Sequence, residues 1–136
     1  MTEEKMKNYK KIISQYWKFF NESISNDFGT DAMWSKAVND SGELQRSHEC
    51  EISKRIAYIL LDEMNRLQKS KEDPDIKIYY NVFLDCGNSL SQSNDWNTFN
   101  DYLRFRYKKY NGMRFAEKMF DVFQTEIAKE FNVNEI

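Results

Sequence analysis

The stretch EEKMKNYKKIISQYWKFFNESISN, residues 3–26, decides the fold. On a step of about 100° per residue, Met6, Tyr9, Ile12, Ile13, Tyr16, Trp17, Phe19, Phe20 and Ile24 fall within an arc of about 160°. Lys11, Ser14, Lys18, Asn21 and Glu22 fill the opposite side. A half-buried strand would alternate every second residue. The spacing therefore predicts a long helix with one face on a core, stopping near Asp27-Phe28-Gly29. DFG at 27–29 matches a kinase metal loop in its three letters alone, with nothing around it to support that role, and reads as a helix end.

The same periodicity continues outward. In GTDAMWSKAVNDSG, residues 29–42, Thr30 or Asp31 caps a short helix whose Met33, Trp34, Ala37 and Val38 share a face. Asn39 to Gly42 are expected to break it. Ser41 is expected to open a long helix to about Ser70, with Leu44, His48, Ile52, Ile56, Ile59 and Leu67 in one stripe. Ala57, Leu60, Leu61 and Met64 widen that stripe, as in a central helix. KEDPD, residues 71–75, is a boundary: Asp73 reads as an N-cap and Pro74 as the first helical residue. Ile76, Tyr79, Val82, Phe83, Cys86 and Leu90 then recur to about Ser91. SQSND, residues 91–95, is a turn, and Asn94 or Asp95 caps a helix ending at Asn111-Gly112. A last helix is predicted from about Met113 to Asn132.

These segments give an all-α fold: a single-domain helical bundle over residues 1–136, with five sizeable helices and one short one. Composition agrees. One Pro and four Gly in 136 residues is too few chain breakers for a sheet-rich fold. Hydrophobic residues at 40% fill one core of this size without disulfide staples. The net charge of −2 and well-mixed charges create no general field toward nucleic acid or an anionic membrane. No apolar run approaches the length of a membrane span. The charged start MTEEKMKNYK lacks an apolar signal core, so a cytoplasmic location is expected, with Cys50 and Cys86 as reduced thiols. Abundant Lys, Asn, Ile, Tyr and Phe suggest an AT-rich coding sequence of a bacterial or phage kind.

No catalytic or cofactor pattern stands out. SHECE, residues 47–51, places His48 beside Cys50, but residues two apart on a helix diverge by about 200°, so they cannot share a metal. His48 reads as a half-buried histidine with a satisfied hydrogen bond. The residue three before it is Gln45, so the ExxH pair of di-iron bundles is missing. No nucleophile elbow, phosphate loop or paired CxxC motif is present. The expectation is a non-enzyme without metal or cofactor.

The one suggestive stretch is YLRFRYKKYNGMRF, residues 102–115, which interleaves basic residues with aromatics as nucleic-acid grooves do. Helical projection scatters its basics. Arg104 and Lys108 share the polar side, Lys109 lies near an outward Phe105, and Arg106 falls inside the apolar arc. Arg114 begins the next helix. An inward Arg106 calls for a structural ion pair; failing that, its stem snorkels and its head reaches the surface. Arg104, Phe105, Lys108, Lys109 and Arg114 are therefore candidate partner-binding residues. The function expected is a small protein-binding protein, such as an inhibitor, immunity or phage counter-defence protein, or an assembly subunit. The alternative is a nucleic-acid-binding regulator with a helix-turn-helix near residues 74–110, whose recognition helix would start with Asn97, Thr98 and Asn100. Asp95 and Asp101 on that helix would face phosphates.

Overall fold

The computed structural model describes residues 1–92 and 94–131. Six α-helices fill most of that length: α1 (Glu3–Ser25), α2 (Asp31–Ser47), α3 (Glu51–Ser70), α4 (Ile76–Leu90), α5 (Trp96–Tyr107) and α6 (Arg114–Glu130), with a 3-10 turn at Lys108–Tyr110. No strand occurs among the described residues. The expected end of the last helix at Asn132 lies outside the described residues, as does Ser93 of the SQSND turn.

Local chemistry sets most helix starts. Thr2 accepts from the Lys5 amide at 3.1 Å, Thr30 from Met33 at 3.2 Å, and Asp95 from Thr98 at 2.8 Å. Each satisfies one of the amides a first turn leaves without a partner. The helix ends use left-handed backbone at Gly29 (φ 90°), Lys71 (φ 56°) and Gly112 (φ 83°).

Two boundaries differ from the sequence expectation. α2 runs straight through Asn39–Gly42 instead of breaking there, and the chain turns at His48–Cys50. The short and long helices predicted for residues 31–70 are thus two of similar length. Met33, Ala37 and Ser41 continue one buried strip at i, i+4, i+8. Ser41 satisfies its hydroxyl on the Val38 carbonyl, and Lys36 pairs with Asp40 within the helix. The Arg46 guanidinium lies against Gly42, where an added Cβ would stand 3.3 Å from it. One Gly costs a helix only about 1 kcal/mol, which this burial outweighs. The second difference is the cap of α4. Asp75, not Asp73, accepts from the Ile78 amide, at 3.3 Å, because the left-handed Lys71 and the Glu72 amide close α3 first. Pro74 precedes the cap.

Packing is antiparallel between the main neighbours. Along α1 and α4, Lys10 meets Ser91 while Phe20 meets Tyr79. Along α3 and α6, Arg55 meets Asp121, Thr125 and Glu126. Along α5 and α6, Trp96 meets Phe131 and Tyr107 meets Phe120. All six helices contribute to one core, with Tyr16, Phe20, Phe99 and Phe123 among its fully buried side chains. Phe20, Tyr79, Phe83 and Phe115 form its aromatic centre, with centroids 5.0–6.3 Å apart. No helix among the described residues is long and apolar enough to cross a membrane.

Candidate protein-binding surface

α5 carries the candidate stretch, and its polar cap fixes its start. Asp95 takes both the Thr98 amide and the Thr98 hydroxyl, which hold its carboxyl below the usual range. A firmly ionised carboxylate thus stands at the helix entrance, beside exposed Asn97 and Thr98. The helix–turn–helix pair of α4 and α5 exists as two consecutive helices, but this entrance would repel a phosphate.

Further along, only Phe99 and Leu103 of α5 are fully buried. The apolar arc is narrower than the sequence implies, because Tyr102 and Tyr107 are half-buried at its edges. Arg106 therefore lies on the margin of the buried face. The structural ion pair expected for it is not formed: no carboxylate of the described residues lies within 4.0 Å. Its guanidinium instead stands 4.9 Å over the Tyr102 ring and 6.0 Å from that of Phe105. Its Nε is buried without a hydrogen-bond partner. The nearest ion pair goes to Lys109, whose Nζ is 2.9 Å from Oδ2 of the buried Asp85. The Tyr110 hydroxyl donates to the same oxygen at 2.6 Å. Burial first, then that hydrogen bond, pushes the Tyr110 hydroxyl well above its usual range.

The five candidate residues are not brought together. Phe105 is 68% exposed, the most exposed of the large apolar side chains among the described residues. Lys109 is held on Asp85. Arg104 lines a shallow groove between α5 and α6 with Leu103, Tyr107, Phe120 and Asp121. Lys108 is exposed. Arg114 lies elsewhere, in a cleft of about 640 Å³ between α3 and α6 with Arg66, Lys69 and Lys118.

A second surface was not singled out by the sequence. On α4, Ile76, Tyr80 and Leu84 are 40%, 44% and 43% exposed and recur at i, i+4, i+8. Ile76 belongs to this outer strip and not to the core stripe where its spacing had placed it. The half-buried Trp17 of α1 leans on it, its ring 5.4 Å from that of Tyr80. Gly87 lies on the same side one turn on, with open space around it. The signal was in the sequence: α4 has apolar residues on more of its circumference than α1, α5 and α6 together cover.

At the α2–α3 bend, His48 ends one helix instead of lying along the next, and its Nε2 is 2.5 Å from Gln15 Oε1. Burial, then the nearby Lys11, lowers its pKa. Cys50 is exposed and Cys86 is buried, both as free thiols. Among the described residues no three His, Cys, Asp or Glu side chains stand where they could share a metal. Compared with family models, curated proteins and solved structures, the chain has no significant match.

Proposed function

We propose that this chain is a small non-enzymatic protein-binding protein, cytoplasmic and of bacterial or phage origin, acting as an inhibitor, immunity or counter-defence protein or as an assembly subunit. The observation that carries the reading is the outer strip of α4. Three large, partly exposed apolar side chains recur at i, i+4, i+8 on one side of the helix, and Trp17 packs on the middle one, an arrangement that suits a docking site. Anchors at that spacing suit a helix or groove on a partner. Aromatic anchors such as Tyr80 and Trp17 are the side chains that dominate binding energy.

The test is capture from the native host with wild type and with the Tyr80→Asp, Leu84→Asp double variant. Tyr80 and Leu84 are 44% and 43% exposed and Tyr80 packs on Trp17, so a melting curve of the variant accompanies the capture. One protein captured by wild type and lost from the variant supports the reading, and about a hundredfold loss of affinity is expected for two anchors. Equal capture by both removes α4 from the interface. Captured nucleic acid, released by salt, replaces the reading with the regulator.

A further inference from the structure

We propose that Arg106, stacked on Tyr102 and flanked by Phe105, is an anchor for one carboxylate on a partner protein: an Asp or Glu side chain followed by an apolar residue. This rests on the reading that the chain binds protein, and it names a second contact and its chemistry.

Three observations converge. First, the Arg106 guanidinium has no anion. Its Nε is buried and unbonded, and its two Nη groups, at the surface, donate to nothing among the described residues. The two Nη groups are the ones a partner can reach, and paired N–H groups of a guanidinium hold a carboxylate through two parallel hydrogen bonds. Second, the group is held ready. The Tyr102 ring lies 4.9 Å from it, a cation–π contact that holds the guanidinium in place and reduces the ordering cost of binding. Third, the most exposed apolar ring among the described residues is its immediate neighbour. Phe105, 68% exposed, gives an apolar contact 6.0 Å from the charge.

The same geometry selects the partner's chemistry. Tyr102, Phe105, Arg106 and Lys109 follow at i, i+3, i+4 and i+7, so they share one strip of the helix and its 3-10 extension. On that strip Lys109 is occupied by Asp85, which leaves Arg106 as the free cation. Arg104 and Lys108 lie toward a different side. One free fork beside one exposed ring matches a single carboxylate next to an apolar side chain. A nucleic-acid backbone carries phosphates in series and would need several free cations in a row. The local field favours acids: in residues 101–110 the cations Arg104, Arg106, Lys108 and Lys109 face one acid, Asp101, on a chain that is otherwise acidic.

The test is a nuclear magnetic resonance titration of the whole chain that follows the backbone amide signals of residues 102–109 in every variant and, where Arg106 is present, its Nε–Hε signal. The probes are the capped tripeptides Leu-Glu-Leu and Leu-Gln-Leu and a short oligothymidylate. Leu-Glu-Leu is expected to shift these signals and saturate in the millimolar range, with Leu-Gln-Leu at least about tenfold weaker. Arg106→Lys keeps the charge but loses the fork and the stack, and should weaken binding about tenfold. Phe105→Ala should also weaken it, and Arg104→Gln should leave it unchanged. An equal response to both tripeptides, full binding by Arg106→Lys, or an equal loss in Arg104→Gln would each overturn the proposal. Tighter binding of oligothymidylate would also overturn it and favour the regulator. The tripeptides do not engage α4, so their result stands apart from that of the Tyr80→Asp, Leu84→Asp capture experiment.

Discussion

Glu63 and Asp85 are both buried carboxylates that take a tyrosine hydroxyl and a cation, yet they are built differently. Glu63 receives both arms of Arg66 at 2.9 Å and also the Tyr79 hydroxyl. The remaining Arg66 Nη1 goes to Glu72 at 2.5 Å. At Asp85 a single oxygen takes the Tyr110 hydroxyl and the Lys109 ammonium. Where arginine holds the acid, its planar fork is used up and α3 is tied to α4. Where lysine holds it as a point charge, the arginine three residues earlier is left without an anion. The first arrangement is a finished structural joint. The second leaves a guanidinium at the surface with no carboxylate of the described residues within 4.0 Å.

Truncating the two acids should give the largest effect and separate them. Glu63→Ala strands the hydroxyl of the nearly inaccessible Tyr79 and releases Arg66 from its fork. Arg66 is half-exposed, so water screens most of its charge and the loss falls mainly on the tyrosine and the fork. About 2–3 kcal/mol of stability should go. Asp85→Ala strands the Tyr110 hydroxyl, while the half-exposed Lys109 turns to solvent, for about 1–2 kcal/mol. Urea unfolding of both variants measures the ranking. If Asp85→Ala costs as much as Glu63→Ala, the fork is not what distinguishes the two joints.

A smaller effect should appear in alkali. Burial, and then the bond to its carboxylate, raises both the Tyr79 and the Tyr110 hydroxyl above the usual tyrosine range. A group whose folded pKa is raised adds stability that is whole below its unfolded pKa and lost as pH rises past it. Stability should therefore fall above about pH 10, the unfolded value. Tyr79→Phe and Tyr110→Phe should each flatten that fall while lowering stability at neutral pH. Denaturant midpoints across the alkaline range, paired with tyrosinate absorbance, test it. Curves for wild type and the two variants that run parallel would break the link between these hydroxyls and folding.

How much was legible follows from which physics was local. The face of α1, a cap at Asn94 or Asp95 and the turn at Asn111-Gly112 depend on residues close in sequence, and the structure has the cap at Asp95 and a left-handed Gly112, with the last turn before it tightened to a 3-10 turn. The α2–α3 boundary was not, because Asn39–Gly42 look like a breaker until Ser41 is known to be buried and Gly42 to sit beneath Arg46. Phe105 was read as outward from helical phase alone. Arg106 could not be placed the same way. Whether its head meets an acid depends on where distant acids fall, and the buried Asp85, 21 positions away in the sequence, holds Lys109. The α4 strip escaped notice for a related reason: periodicity shows which residues could be buried, and only the packing of α1 against α4 shows which stay uncovered.

The smallest effect is the most discriminating. Arg66→Leu leaves Glu63 buried with only the Tyr79 hydroxyl to hold its charge, and should cost about 1–2 kcal/mol after discounting for the exposed guanidinium. Arg106→Leu removes a cation that has no carboxylate of the described residues within 4.0 Å. It forfeits the stack on Tyr102, worth about 0.5 kcal/mol at a site this exposed, and it relieves a buried Nε that has no acceptor. The two terms nearly cancel, so the stability of Arg106→Leu should lie within about 0.5 kcal/mol of wild type. Thermal and urea unfolding of the two leucine variants, side by side, make the comparison. A loss of about 1–2 kcal/mol or more from Arg106→Leu would mean that Arg106 is paired in the free protein, and it would then have no fork to offer.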